Sequence, residues 1–333
     1  MRVVFALGGN AMTSPDGAAR PEDQLAAIRV AMRSTARLVA AGHDLVLTHG
    51  NGPQVGNLLV KNELAAHVVP PVPLDWCGAQ TQGTIGFMIL DELEAALAAE
   101  GTDVPVAGLV TRTLVDQADP NFAHPTKPIG RYLPEAQART MIDHGQTWED
   151  RGERGWRRVV ASPEPVEVLD APAMQTLLAQ GYVVVGAGGG GIPVVRDADG
   201  RLRGVEAVID KDLTAALLAR RLEADVLVIA TDVEHAAVDW GTPAQRDLTS
   251  VPLTEMRGYA AAGQFASGSM GPKVDAAIRF VESGGPRSII TSLERITEAI
   301  EGGHGTRILP DEALAPDDHA GDPTGQASTR HTS

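Results

Sequence analysis

Residues 204–231, GVEAVIDKDLTAALLARRLEADVLVIAT, carry the pattern that decides the architecture. Val205, Val208 and Ile209 read as a short strand. Leu213, Leu217 and Leu218 open a helix expected over Lys211 to Leu222, and DVLVIAT (225–231) is an apolar strand without polar alternation. Such a strand is buried on both faces, as in a parallel sheet covered by helices on either side. The same alternation recurs along the chain. Towards the N-terminus lie a strand at Val3–Leu7, a helix opened by Pro21, and DLVLTHG (44–50). That helix carries Leu25, Ile28, Met32, Thr35, Leu38 and Val39 on one face, and Gly42 stops it. A long helix within Gly78–Gly101 follows, then the strands VPVAGLVT (104–111) and YVVVGAG (182–188). Towards the C-terminus come a helix at Pro272–Glu282 and RSIIT (287–291), which closes the series. Strands alternating with helices make the fold α/β with a mainly parallel sheet.

With 333 residues and 43% hydrophobic content, the chain is long enough for one large or two fused α/β domains. Its net charge of −15 argues against nucleic acid or an anionic membrane as the main partner, so positive charge for an anionic ligand must be gathered locally. The single cysteine, Cys77, excludes an internal disulfide and fits a reducing cytoplasm. MRVVFALGG has no signal-peptide form, and no run of about 18 apolar residues occurs. Two stretches break the rhythm. Residues 118–165, rich in Pro, Arg, Asp and Glu, read as a small inserted lobe, and residues 311–333 as a disordered tail.

Four glycine-rich turns stand where open α/β sheets place ligands: LGGNA (7–11), THGNGPQVG (48–56), GAGGGGIPV (186–194) and SGSMGPK (267–273). Glycine lets backbone N–H groups approach an oxygen-rich ligand, and a helix N-terminus adds partial positive charge, so phosphate is the natural guest. For any one turn the alternative is a tight strand-to-helix connection. Asn10 and Asn51 can donate to a ligand oxygen or can serve turn geometry. Neither G-x-x-x-x-G-K-[ST] nor a helix-opening G-x-G-x-x-G is present, which disfavours a P-loop and a nicotinamide-binding oxidoreductase.

Lysine occurs only at 61, 127, 211 and 273, against 24 arginines (28 minus 4). Lys127 is restrained between Pro125 and Pro128. Lys211, flanked by Asp210 and Asp212, and Lys273 both fall at helix starts, where the macrodipole disfavours a cation unless an anion binds there. One of the two aspartates is explained as an N-cap. Lys61 reads as a solvated mid-helix residue. A compact ammonium on a flexible stem can follow a moving phosphoryl group, which the planar guanidinium does less well. Nothing in the His or Cys spacing points to a metal site.

Taken together, ALGGNA, THGNGPQVGN, HPTKPIG, RGWRRVV, GGGGIPVV, GVEAVIDKDL and GSMGPK, in order over residues 3–308, resemble the carbamate kinases of the amino acid kinase superfamily. The resemblance implies an open three-layer αβα sandwich with an eight-stranded, mainly parallel sheet and a small protruding mobile subdomain at 118–165. It implies an acceptor lobe over 1–200, a nucleotide-binding lobe over 201–310 and a homodimer. It implies Mg²⁺-dependent, reversible phosphoryl transfer between ATP and carbamate, with Mg²⁺ held mainly by phosphates and no side-chain ligand. Lys127, Lys211, Lys273 and Asp210 would be catalytic. Gly8, Gly9, Asn10, Gly50, Asn51 and Gly52 would surround carbamate and the transferring phosphoryl. Lys211, Asp232, His235, Ala236, Met270, Gly271 and Lys273 would meet the nucleotide. The chain departs from the family pattern at His235, Ala236 and Ala237, where an aromatic is usual, and at Arg131 in PIGRY. A kinase of another small carboxylate or carbamate-like acid is the nearest alternative. A catalytically silent nucleotide-binding regulator is disfavoured by the three lysines and both asparagines being present.

Overall fold

The structure is a computed structural model and describes residues 1–8, 20–266 and 270–314. Its centre is an eight-stranded sheet. In spatial order the strands are Ser250–Pro252, Thr306–Leu309, Ser288–Ser292, Val226–Thr231, Arg2–Leu7, Asp44–His49, Val183–Val185 and Val106–Gly108. All neighbouring pairs are parallel except Ser288–Ser292 with Thr306–Leu309.

The apolar strands of the sequence take these places because successive side chains leave on opposite faces and both faces are covered. Val4, Ala6, Val46, Val184, Leu227 and Ile229 join one core, packed with the helices Ala171–Ala179, Lys211–Arg221, Leu253–Ala261 and Met270–Glu282. Val3, Phe5, Leu7, Leu45, Leu47 and Val228 join the other, under the helices Pro21–Ala40, Leu74–Ala99 and Ile296–Glu301. A fully buried Val, Leu, Ile or Phe side chain contributes about 1.5–3 kcal/mol, and a surface ion pair about 0–1 kcal/mol. The sheet is therefore held by burial; pairs such as Arg29–Glu92 decorate it.

Three details differ from the sequence reading. Val205, Val208 and Ile209 are apolar because they pack into small clusters; the strand there is Leu202–Gly204, paired with Ile192–Arg196. RSIIT does not end the series, since Thr306–Leu309 and the parallel strand Ser250–Pro252 extend the sheet beyond it. Asp311–Leu314, assigned to a tail, form a 3-10 helix tied down by Asp311, which accepts from the Thr254 N–H at 3.0 Å and from its hydroxyl at 2.6 Å. The remainder of that segment lies outside the described residues.

Strand order reverses on either side of Arg2–Leu7: the chain runs on to Asp44–His49 on one flank, and Val226–Thr231 leads away on the other. A crevice opens at the C-terminal ends of strands at such a switch point. Over it stands a lobe with its own antiparallel sheet, Lys127–Leu133, Trp156–Val160 and Thr147–Asp150, and its own core of Leu133, Ala138 and Trp148. The lobe is seated on the helix Gly52–Ala65 through Ile129 and Val160, which meet Val55 and Leu59. A Cβ on Gly56 would lie 3.1 Å from the Gly130 Cα, so a larger residue there would require the lobe backbone to give by a few tenths of an ångström.

Candidate active site

Three of the four lysines meet in one cleft. Lys127 reaches it from the first strand of the lobe, Lys211 from the start of its helix and Lys273 from the first turn of the Met270–Glu282 helix. The cleft, about 220 Å³, is also lined by Gly50, Asn51, Gly52, Gly189, Asp210 and Asp212. Lys61 stays on the exposed face of the Gly52–Ala65 helix.

Two aspartates one residue apart divide the work. Asp210 is the N-cap, with one oxygen accepting from the Asp212 N–H at 2.9 Å and the other from the Lys127 ammonium at 2.9 Å. Asp212 lies inside the first turn, only 5% exposed. It accepts from Lys211 and, at 3.1 Å through its other oxygen, from Lys273. Of the two aspartates the resemblance names only Asp210 as catalytic; the geometry gives Lys211 and Lys273 to Asp212. Burial by itself would raise the Asp212 pKa, but the Lys211 and Lys273 ammonium groups outweigh it and hold the carboxyl below its usual range. Burial pushes the Lys211 pKa down; Asp212 opposes the shift and Lys273 adds to it. Three ammonium groups face two carboxylates, so a chain of net charge −15 carries local positive charge here.

The helix Gly52–Ala65 aims its N-terminus at the same space. The N–H groups of Asn51 and Gly52 have no protein acceptor among the described residues, and Pro53 has no N–H to offer. A helix start of this kind favours an anion. Gly8 is buried at the end of the first strand. Gly9 and Asn10 lie outside the described residues, as do Ser267–Ser269 of the fourth glycine-rich turn.

The turn 186–191 mostly braces the site. Gly189 alone of its glycines lines the cleft. The Gly190 carbonyl accepts from the hydroxyls of Thr113 and Thr214, and the Gly188 carbonyl from Gln82. Gly189, at φ +66°, leaves room for Asn51, whose Nδ2 would sit 2.2 Å from an added Cβ and donates to Thr81 Oγ1 at 2.8 Å.

A second cavity of about 520 Å³ opens after Val226–Thr231. Asp232, His235, Ala237, Trp240, Phe265 and Met270 line it. Met270 and Lys273 are one turn apart on one helix, so the two cavities adjoin. Ala236 lines neither: it is fully buried and its N–H donates to Thr306 Oγ1, while Ala237 takes the wall position. Gly271 also lines neither, its N–H being bonded to the Ala266 carbonyl.

Residues 1–292 match the model of the amino acid kinase family. The chain belongs to that family. Among its relatives, a carbamate kinase of Pyrococcus furiosus is 44% identical over 312 residues, covering 93% of this chain and 99% of that protein. A carbamate kinase-like protein of Escherichia coli is 45% identical over 312 residues, covering 92% and 98%. The structure of a carbamate kinase of Giardia lamblia bound to AMP-PNP superposes with a TM-score of 0.89 at 41% identity, covering 93% of this chain and 98% of that one. Within the amino acid kinase family the chain therefore falls among the carbamate kinases.

One buried histidine gives this family member a measurable acid sensitivity. Burial drives the His49 pKa down from 6.5 to about 4, and Lys211 adds to the shift against a hydrogen bond to Gly50. The folded ring stays neutral where the unfolded ring, at about 6.5, takes a proton. Its contribution is intact above pH 6.5 and is lost as pH falls towards 4, by about 3 kcal/mol in all. Urea midpoints measured from pH 7 to pH 4 are expected to fall more steeply for the native chain than for His49→Asn. Equal slopes would remove His49 from the account.

Proposed function

We propose that the chain transfers the γ-phosphoryl group of ATP to carbamate, reversibly, giving carbamoyl phosphate and ADP. The observation that carries this reading is the convergence of Lys127, Lys211 and Lys273 on one cleft through two neighbouring aspartates. Phosphoryl transfer depends chiefly on positioning and on neutralising spread charge, which ammonium groups supply. Carbamate already presents an anionic oxygen, so no general base is required. Gly8, Gly9, Asn10, Gly50, Asn51 and Gly52 would hold the acceptor and the moving phosphoryl. Lys211 and Lys273, fixed by Asp212, would face the phosphate chain, and Lys127, held by Asp210, would approach from the lobe. The second cavity would take the base and ribose, with the Trp240 ring offering a stacking face and Asp232 its carboxylate. Magnesium would enter as the counter-ion of the nucleotide: Asp210 and Asp212 are engaged with lysines, which leaves phosphate oxygens as its main ligands.

Arg131, where PIGRY departs from the family pattern, is exposed on the lobe and lies outside the cleft lining, which favours carbamate over a differently shaped acid. A homodimer is part of the reading. Trp76 and Phe87, on the helix Leu74–Ala99, and Val110, just beyond the edge strand Val106–Gly108, are large exposed apolar side chains of the kind a second copy covers.

The test is coupled ATP formation from ADP and carbamoyl phosphate with Mg²⁺. Turnover in the usual enzymatic range, about 1–10³ s⁻¹, is expected. Absence of ATP formation, with acetyl phosphate or another acyl phosphate accepted instead, would overturn carbamate as the substrate.

A further inference from the structure

We propose that His49 is a positioning residue: its ring N–H holds the Gly50 carbonyl away from the cleft and thereby aims the Asn51 N–H into it. The inference rests on the reading of the cleft as the phosphoryl-transfer site. His49 ends the strand Asp44–His49 and is 2% exposed. Its Nδ1 lies 2.9 Å from the Gly50 carbonyl oxygen. A carbonyl can only accept, so Nδ1 carries the proton and Nε2 is bare in the neutral ring. The other edge of the ring is boxed in, because a Cβ on Gly188 would fall 2.2 Å from Nε2. The ring therefore has one place to be.

The consequence follows from peptide geometry. The Gly50–Asn51 bond is trans, so its C=O and N–H point in opposite directions. The Gly50 N–H is already given to the Leu7 carbonyl at 3.1 Å, which fixes the preceding peptide. With the Gly50 carbonyl tied to His49, the next N–H, that of Asn51, is turned the other way. It has no protein acceptor among the described residues, and Gly50, Asn51 and Gly52 all line the cleft. Without the histidine this peptide can rotate and present a carbonyl oxygen where an anion is to sit. A donor would be exchanged for a repelling dipole at the point where charge moves during transfer. None of the protein's charged groups needs to change for this to happen, which is why the residue is absent from a reading based on lysines.

The experiment compares three variants in ATP formation from ADP and carbamoyl phosphate. His49→Leu removes the donor and keeps bulk; His49→Gln also lacks a donor at that point and serves if the leucine variant fails to fold. His49→Asn places an amide N–H near the position of Nδ1. The donor-less variants are expected to lose at least about tenfold in kcat, less than the 10²–10³-fold of deleting a donor outright, with KM for ADP held within about twofold. His49→Asn should recover most of the rate. Unchanged kcat in the donor-less variants, or an equal loss in all three, would overturn the proposal in favour of a packing role. A second readout needs no turnover. In ¹H–¹⁵N spectra the Asn51 amide is expected to shift when inorganic phosphate is added to the native chain and to stay in place in the donor-less variant. Should the native chain form no ATP, the transfer reading fails by itself. The amide shift still decides on His49, and its absence from the native chain or its persistence in the variant would count against the proposal.

Discussion

Asp212→Asn is expected to lower kcat by roughly 10²–10³-fold, the scale of losing one prearranged charge-stabilising group, and to destabilise the fold at the same time. The carboxylate is 5% exposed and bonds two lysines that are themselves only 12% and 15% exposed. Asparagine keeps the shape and one acceptor but removes the negative charge, so two poorly hydrated ammonium groups are left facing each other. Breaking a buried pair in this way costs about 3–5 kcal/mol, and the nearby Asp210 keeps the loss at the lower end. Urea denaturation should therefore show a deficit of about 3 kcal/mol in the free protein. Saturating ADP should shrink it, because bound phosphates return the missing charge. The pH profile supplies a further check. Burial already pushes the Lys211 pKa down, and Asp212 is the strongest influence raising it. Without that carboxylate Lys211 loses its proton at lower pH, so the alkaline limb of kcat should move to lower pH in the variant. A normal midpoint together with kcat within about threefold of native would mean that the two lysines organise themselves without Asp212.

How much of this was legible in the chain depended on how local the cause was. VLVIA (226–230) and Val3–Leu7 announce buried parallel strands because both faces of each are covered and every residue is apolar. The strands Lys127–Leu133 and Thr147–Asp150 announce nothing comparable. They form a three-stranded sheet on a small lobe where much of each strand is exposed, Pro128 interrupts the pattern, and Gly130 at φ +68° sits in a register shift. Thr306–Leu309 is missed for a related reason: four residues containing an arginine gain their strand identity from the strands Ser288–Ser292 and Ser250–Pro252 that pair with them on either side. In the cleft, the lysines stand out because they are rare and sit where a helix start should repel them. Asp210 and Asp212 look equivalent in DKD. Which one caps the helix and holds Lys127, and which one holds Lys211 and Lys273, is decided by side-chain direction on either side of the first turn, and spacing carries no trace of that. Trp240 was within reach, as one of only four tryptophans and in a D-W-G turn soon after a nucleotide-side strand, but an exposed aromatic in a turn gives no direction until the cavity beside it is known.

Lys127→Ala separates chemistry from stability more cleanly. The side chain is 38% exposed and its partner Asp210 keeps its capping bond to the Asp212 N–H when the lysine is gone. An ion pair this exposed contributes about 0–1 kcal/mol, so the urea midpoint should barely move. Lys127 belongs to the lobe and lines the cleft beside Asp210, whereas no residue of the lobe lines the second cavity. Its loss should consequently fall on kcat, by roughly 10²–10³-fold, with KM for ADP changed by no more than about threefold. Lys127→Arg is the sharper half of the experiment. It preserves the charge but replaces a compact point donor with a planar fork on a longer stem, in a chain that uses arginine for 24 of its 28 cations. If the position serves only to add positive potential, arginine should restore the rate. If the ammonium has to follow the phosphoryl group between donor and acceptor, as the prolines on either side and the anchoring Asp210 suggest, arginine should recover less than about a tenth of it.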